Sequence, residues 1–121
     1  FSGYIAAHAS HSEGIAVDLT LIARHAPSAP PYDAHAHSGA CTAPVPEREP
    51  DHSLALGTGF DCFDAAAHTA SAAITPDQAR RRQVLVTAMR HRGFRNYFRE
   101  WWHFSYGPQR AAYDFPIEAR R

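Results

Sequence analysis

Gly93-Phe94-Arg95-Asn96-Tyr97-Phe98-Arg99-Glu100-Trp101-Trp102-His103-Phe104-Ser105-Tyr106 is half aromatic, and such density reads as strand. In a regular strand Trp102, Phe104 and Tyr106 share one face, and Trp101, His103 and Ser105 share the other. Glu100 and His103 lie three residues apart, so a straight strand points them in opposite directions. For both to reach one site, the chain must turn or bulge around Trp101-Trp102.

Upstream, Thr75-Pro76-Asp77-Gln78 opens a helix. Thr75 is a good N-cap, Pro76 suits the first helical position, and Gln78 completes a capping box, with Ile74 and Ala79 at the staple positions. The helix is expected to run to about Arg92, where Gly93 stops it. Leu85 and Met89, four apart, mark its inner face. Arg80-Arg81-Arg82 could suggest anion binding, but three successive residues cannot share a helix face, so a solvated flank is expected.

Ile15-Ala16-Val17-Asp18-Leu19-Thr20-Leu21-Ile22 follows Gly14 and reads as a buried strand. Asp18 interrupts it. A carboxylate in such a run is costly unless it faces water at an edge, is paired, or binds a cation. Residues 26–59 hold most of the prolines and read as a long loop, ending in a turn at Leu56-Gly57-Thr58-Gly59. Asp114-Phe115-Pro116-Ile117 reads as a last short strand, placed at an edge by its proline. The expected fold is α+β: one domain over residues 1–121, a small antiparallel sheet with the helix at 76–92 packed against it, and an insertion over residues 26–55.

The chain has 121 residues and a formal net charge of zero, so electrostatics point neither to nucleic acid nor to an anionic membrane surface. No apolar run approaches the roughly 20 residues that span a bilayer. The chain begins at Phe1, shows no signal peptide, and places its first ligand candidate ten residues in, so a processed or incomplete N-terminus is expected. Among nine histidines, His25, His35, His37 and His52 fall in a Pro/Ala/Ser-rich stretch and are expected to be solvated. His35-Ala36-His37 is a weak metal pinch. Cys41 and Cys62 are too few for a four-thiolate zinc site. A disulfide between them is expected and implies an oxidising compartment, periplasmic or secreted; the alternative, two unrelated thiols, implies a cytoplasmic protein.

His11, Asp18 and His103 together supply two imidazoles and a carboxylate, a donor set suited to one zinc ion with a fourth position open to water. Glu100 is either a base for that water or a fourth ligand, and its closeness in sequence to His103 does not decide between them.

These residues resemble the VanX-type D-alanyl-D-alanine dipeptidases, zinc peptidases of the hedgehog/D,D-peptidase fold. The resemblance is carried by Ser10-His11-Ser12-Glu13-Gly14-Ile15-Ala16-Val17-Asp18, by Gly57-Thr58-Gly59-Phe60-Asp61-Cys62-Phe63-Asp64 with His68, by Arg80-Arg81-Arg82, by Glu100-Trp101-Trp102-His103 and by Asp114-Phe115-Pro116. It implies zinc on His11, Asp18 and His103, Glu100 as catalytic base, and D-Ala-D-Ala or a related short peptide as substrate. It also implies that Asp61 faces the substrate's free amino terminus; from the residues alone Asp61 reads as a turn-capping aspartate after Gly59. Ser10 resembles a serine lining the family's substrate pocket, while the serine that often precedes it is Ala9 here.

The family also carries, upstream of the first ligand, an arginine that stabilises the tetrahedral intermediate and a tyrosine near the substrate amine. No corresponding segment precedes Ser10. The expectation is that the N-terminal portion of the fold is missing and is supplied by a longer polypeptide or a second chain, or that the protein is inactive. Two alternatives stand beside the dipeptidase reading: a non-catalytic zinc-binding module, and a peptidoglycan carboxypeptidase or endopeptidase.

Overall fold

In the computed structural model, which describes residues 9–28, 31, 39–48 and 52–108, helix α1 spans Pro76–Arg90 and begins with the capping box. Thr75 Oγ1 accepts from the Gln78 amide at 3.3 Å, and Gln78 Oε1 accepts from the Thr75 amide at 2.9 Å. The helix ends two residues short of the expected Arg92. Its last turn tightens, with Arg92 bonded to the Met89 carbonyl and Gly93 to that of Arg90. Gly93 then adopts φ +85°, which sends the chain into the sheet.

Among the described residues the sheet has three antiparallel strands: β1 (Ala16–Asp18), β2 (Phe94–Asn96) and β3 (His103–Tyr106), in the order β1-β3-β2. Ala16, Val17 and Asp18 face Ser105, Phe104 and His103, while Phe94, Arg95 and Asn96 face Tyr106, Ser105 and Phe104. The aromatic stretch is therefore a hairpin and not one strand. A turn over residues 97–102 is closed by the Glu100 amide on the Tyr97 carbonyl and the His103 amide on the Glu100 carbonyl. This is the reversal that Glu100 and His103 require.

The expected buried strand over residues 15–22 is shorter and more exposed. Only residues 16–18 pair as a strand, at the sheet edge, with Val17 39% and Ile22 55% exposed. An aliphatic run has the same composition whether one face or both are covered, and among the described residues β1 has a strand partner on one side only. Ile22 makes a single bridge to Ser53, and a short 3-10 turn occupies Val45–Glu47. Asp114–Ile117 and the His35-Ala36-His37 pair lie outside the described residues.

The core gathers Leu56, Cys62, Ala67, Leu85, Trp101, Trp102 and Phe104, all buried. Trp101 donates its indole N–H to Thr58 Oγ1 at 2.8 Å, and Phe60 packs on both tryptophans. Truncating either indole would cost about 3–5 kcal/mol. Cys41 and Cys62 form a disulfide that ties the 39–48 segment to this core.

Arg82 overturns the expectation of a solvated arginine flank. Arg80 pairs with Asp77 in the first turns of the helix, but Arg82 is 1% exposed. Its guanidinium donates to the carbonyls of Leu56 at 2.7 Å, His68 at 2.6 Å and Ala66 at 2.8 Å. A Cβ on Gly57 would stand 2.7 Å from the guanidinium, so glycine is needed for this approach. Burial lowers the Arg82 pKa to about 10, which leaves it charged at neutral pH.

Candidate metal centre

The register of β1 against β3 sets Asp18 directly opposite His103 on one face of the sheet. His11 reaches the same spot from the turn before β1, where Gly14 adopts φ +67° and its amide bonds to the His11 carbonyl at 3.0 Å. Three atoms converge there. His103 Nδ1 lies 3.1 Å from Asp18 Oδ1 and 3.1 Å from His11 Nε2, and His11 Nε2 lies 3.3 Å from Asp18 Oδ1. Among the described residues this trio is the one group of histidine, cysteine and carboxylate side chains arranged to hold a metal ion.

The outer ring nitrogens help define what the inner ones present. His11 Nδ1 can only donate to the Ala16 carbonyl, 3.2 Å away, so in the neutral ring Nε2 is a bare lone pair. His103 Nε2 lies 3.2 Å from both Ser10 Oγ and Ser105 Oγ. An N–H there, donating to either hydroxyl, leaves Nδ1 bare as well. Lone pairs facing a carboxylate at this spacing require positive charge between them. Without a cation, a proton on His103 supplies it: the hydrogen bond to Asp18 raises the His103 pKa, burial opposes, and the charges of Asp18 and Glu100 add to the rise. A tetrahedral zinc with bonds of about 2.0–2.1 Å needs ligand atoms about 3.3 Å apart, close to the triangle present. The residues fit such an ion.

Glu100 stands beside this trio. Its Oε2 is 3.7 Å from His103 Nδ1, and its side chain is largely buried. Burial raises its pKa most. The positive character of His103 and His11 lowers it, and the charges of Asp18 and Asp61 raise it. Asp61 thus acts on Glu100 electrostatically. It sits exposed in a turn at φ +49°. The turn-capping role that sequence suggested for Asp61 belongs to Asp64, whose Oδ1 accepts from the Ala66 amide at 2.7 Å. Ser10 contacts His103 and so borders the centre. Ser105 was missed as a participant, although alternation along the strand puts it on the same face as His103. Asn96 and Arg82, whose partners are main-chain carbonyls, left no sequence signal of their roles.

A family model described as D-ala-D-ala dipeptidase, of peptidase group M15, matches residues 24–119. The chain belongs to this peptidase family. The M15 match includes Asp61, Glu100 and His103, and it begins downstream of His11 and Asp18. Full-length similarity takes in those two as well. A D-alanyl-D-alanine dipeptidase of Enterococcus faecium is 29% identical over 119 residues, covering 96% of this chain and 47% of the relative. Proteins of the same name from Streptomyces coelicolor and Escherichia coli are each 30% identical, covering 95% and 86% of this chain and 46% and 40% of their own length. The chain spans less than half the length of these M15 relatives.

Proposed function

We propose that this chain carries the zinc-dependent hydrolysis of D-Ala-D-Ala or a similar short cell-wall dipeptide. The single observation that supports it most is the convergence of His11 Nε2, Asp18 Oδ1 and His103 Nδ1 with the largely buried Glu100 carboxylate 3.7 Å from His103 Nδ1. The relatives, D-alanyl-D-alanine dipeptidases by name, supply the substrate class.

In this reading His11, Asp18 and His103 hold one zinc ion per chain. Zinc bound there would polarise a substrate carbonyl and lower the pKa of water to about 7. Glu100 takes the proton from the attacking water and passes it to the departing amine, base and then acid in one turnover. Its raised pKa suits both tasks, because the carboxylate must let the proton go again. Asp61 receives the substrate's ammonium group, and Ser10 borders the pocket. The Cys41–Cys62 disulfide supports a periplasmic or secreted location.

The test is zinc content together with D-Ala-D-Ala hydrolysis by the purified protein, with and without a chelator. One zinc per chain is expected, with activity lost on chelation and in Glu100→Ala while that variant keeps its zinc. Bound zinc without hydrolysis would make the protein a non-catalytic module. Loss of zinc from Glu100→Ala would make Glu100 a ligand.

A further inference from the structure

The 97–102 turn must hold a proton carrier and a metal ligand at a fixed separation, and its own backbone closes it with three hydrogen bonds, the Tyr97 amide on the His103 carbonyl at 3.0 Å, the Glu100 amide on the Tyr97 carbonyl at 3.0 Å and the His103 amide on the Glu100 carbonyl at 3.2 Å. A side chain outside the turn completes it. The Asn96 carboxamide donates from Nδ2 to the Glu100 carbonyl at 3.0 Å and to the His103 carbonyl at 3.0 Å, with the Trp101 carbonyl at 3.5 Å. Its Oδ1 accepts from the Thr69 hydroxyl. Thr69 also grips the turn through its own amide, which donates to the Phe98 carbonyl at 2.9 Å.

The chemistry of the partners leaves one orientation for this amide. Two carbonyls demand an N–H₂, so a half turn of the carboxamide would set its oxygen against both and lose those two bonds, while the Thr69 hydroxyl donates to Oδ1 in the orientation present. Aspartate would set an acceptor against two acceptors, and glutamine would overreach by a methylene. The register puts Asn96 opposite Phe104, on the sheet face away from His103, so it touches neither the ligand atoms nor any space in front of them.

We propose that Asn96 is a positioning residue, whose carboxamide, oriented by Thr69, fixes the distance between the carboxylate of Glu100 and the metal-binding nitrogen of His103. The inference rests on the reading of Glu100 as base and His103 as ligand. Holding a reacting group within an ångström of its working position can be worth about a hundredfold in rate, and groups that orient a metal ligand from behind about 10- to 100-fold in metal affinity.

The test compares the wild-type protein with Asn96→Ala, Asn96→Asp and Thr69→Val in three readouts: zinc affinity by chelator competition, the visible spectrum of the cobalt(II)-loaded protein, and kcat and KM for D-Ala-D-Ala. The Asn96 variants are expected to bind zinc about 10-fold or more weakly, to show a changed cobalt spectrum, and to lose on the order of 100-fold in kcat with KM little altered. Thr69→Val, which keeps the fold's packing and removes only the lock on the amide, should move the same readouts in the same direction by a smaller factor. Variants that lower only the melting temperature, with cobalt spectrum and kcat unchanged, would overturn the proposal. Should Asn96→Ala not fold, Thr69→Val decides alone. If the wild-type protein shows no hydrolysis, the functional reading fails, while zinc affinity and the cobalt spectrum still report whether Asn96 positions His103.

Discussion

The guanidinium carbon of Arg82 lies 5.8 Å from the centre of the Trp101 ring. One buried cation thereby joins the helix to the residue that follows Glu100, while its three N–H bonds fasten the Leu56 and Ala66–His68 segments. Arg82→Ala would strand the Leu56 and Ala66 carbonyls and leave the His68 carbonyl with the Ser71 amide alone, and a loss of about 3–4 kcal/mol is expected, read by urea denaturation. Arg82→Lys, with a point charge in place of a planar fork, should lose about 2 kcal/mol.

Acidification should expel the metal. In the cation-free protein the hydrogen bond to Asp18 is the main reason that the His103 pKa is raised, against the opposing effect of burial. The proton and the ion compete for the same nitrogen. Affinity is therefore highest above that raised pKa and should fall about tenfold per pH unit below it. Zinc competition assays across pH 5–8 measure this, and a pH-independent affinity would remove His103 from the ligand set.

Glu100 acts as a base only when ionised. Its pKa is raised chiefly by burial, with Asp18 and Asp61 adding to the rise and His103 and His11 opposing it. Hydrolysis should fall as pH drops through that raised value. Asp61→Asn removes one of the charges that raise it, so the acid limb of the kcat/KM profile should move to lower pH. The same variant should raise KM for a free dipeptide. Unchanged KM would argue for a longer substrate that lacks a nearby ammonium.

The disulfide between Cys41 and Cys62 closes a span of 21 residues. On the chain-entropy model such a link contributes about 3 kcal/mol. Reduction, or the Cys41→Ala/Cys62→Ala double variant, should lower stability by about that amount in denaturant titrations.

How much of this could be read in advance depended on how local its cause was. The capping box of α1 is written within four residues, Thr75 to Gln78, and its start is where the sequence puts it. The grouping of His11, Asp18 and His103 was legible because a carboxylate inside an aliphatic run demands an explanation, and the turn required between Glu100 and His103 is present. The fate of Arg82 was not legible. Its partners are carbonyls of distant loops, and periodicity shows that three neighbouring arginines diverge without showing which one turns inward. Asp61 reads from the residues as a turn cap, and only the structure shows that the cap of the following turn is Asp64. The extent of β1 was hidden because hydrophobic composition does not report what lies on a strand's second side.

The placement of Asp18 across from His103 has a mechanical side. A three-residue strand held along one edge has little stability of its own. An ion gripped by both strands would rivet that edge shut, so the metal would serve the architecture as well as the chemistry. Stripping it should let the first strand peel away, seen as faster amide exchange at Ala16–Asp18, and bare the flank of β3 to pairing with another molecule.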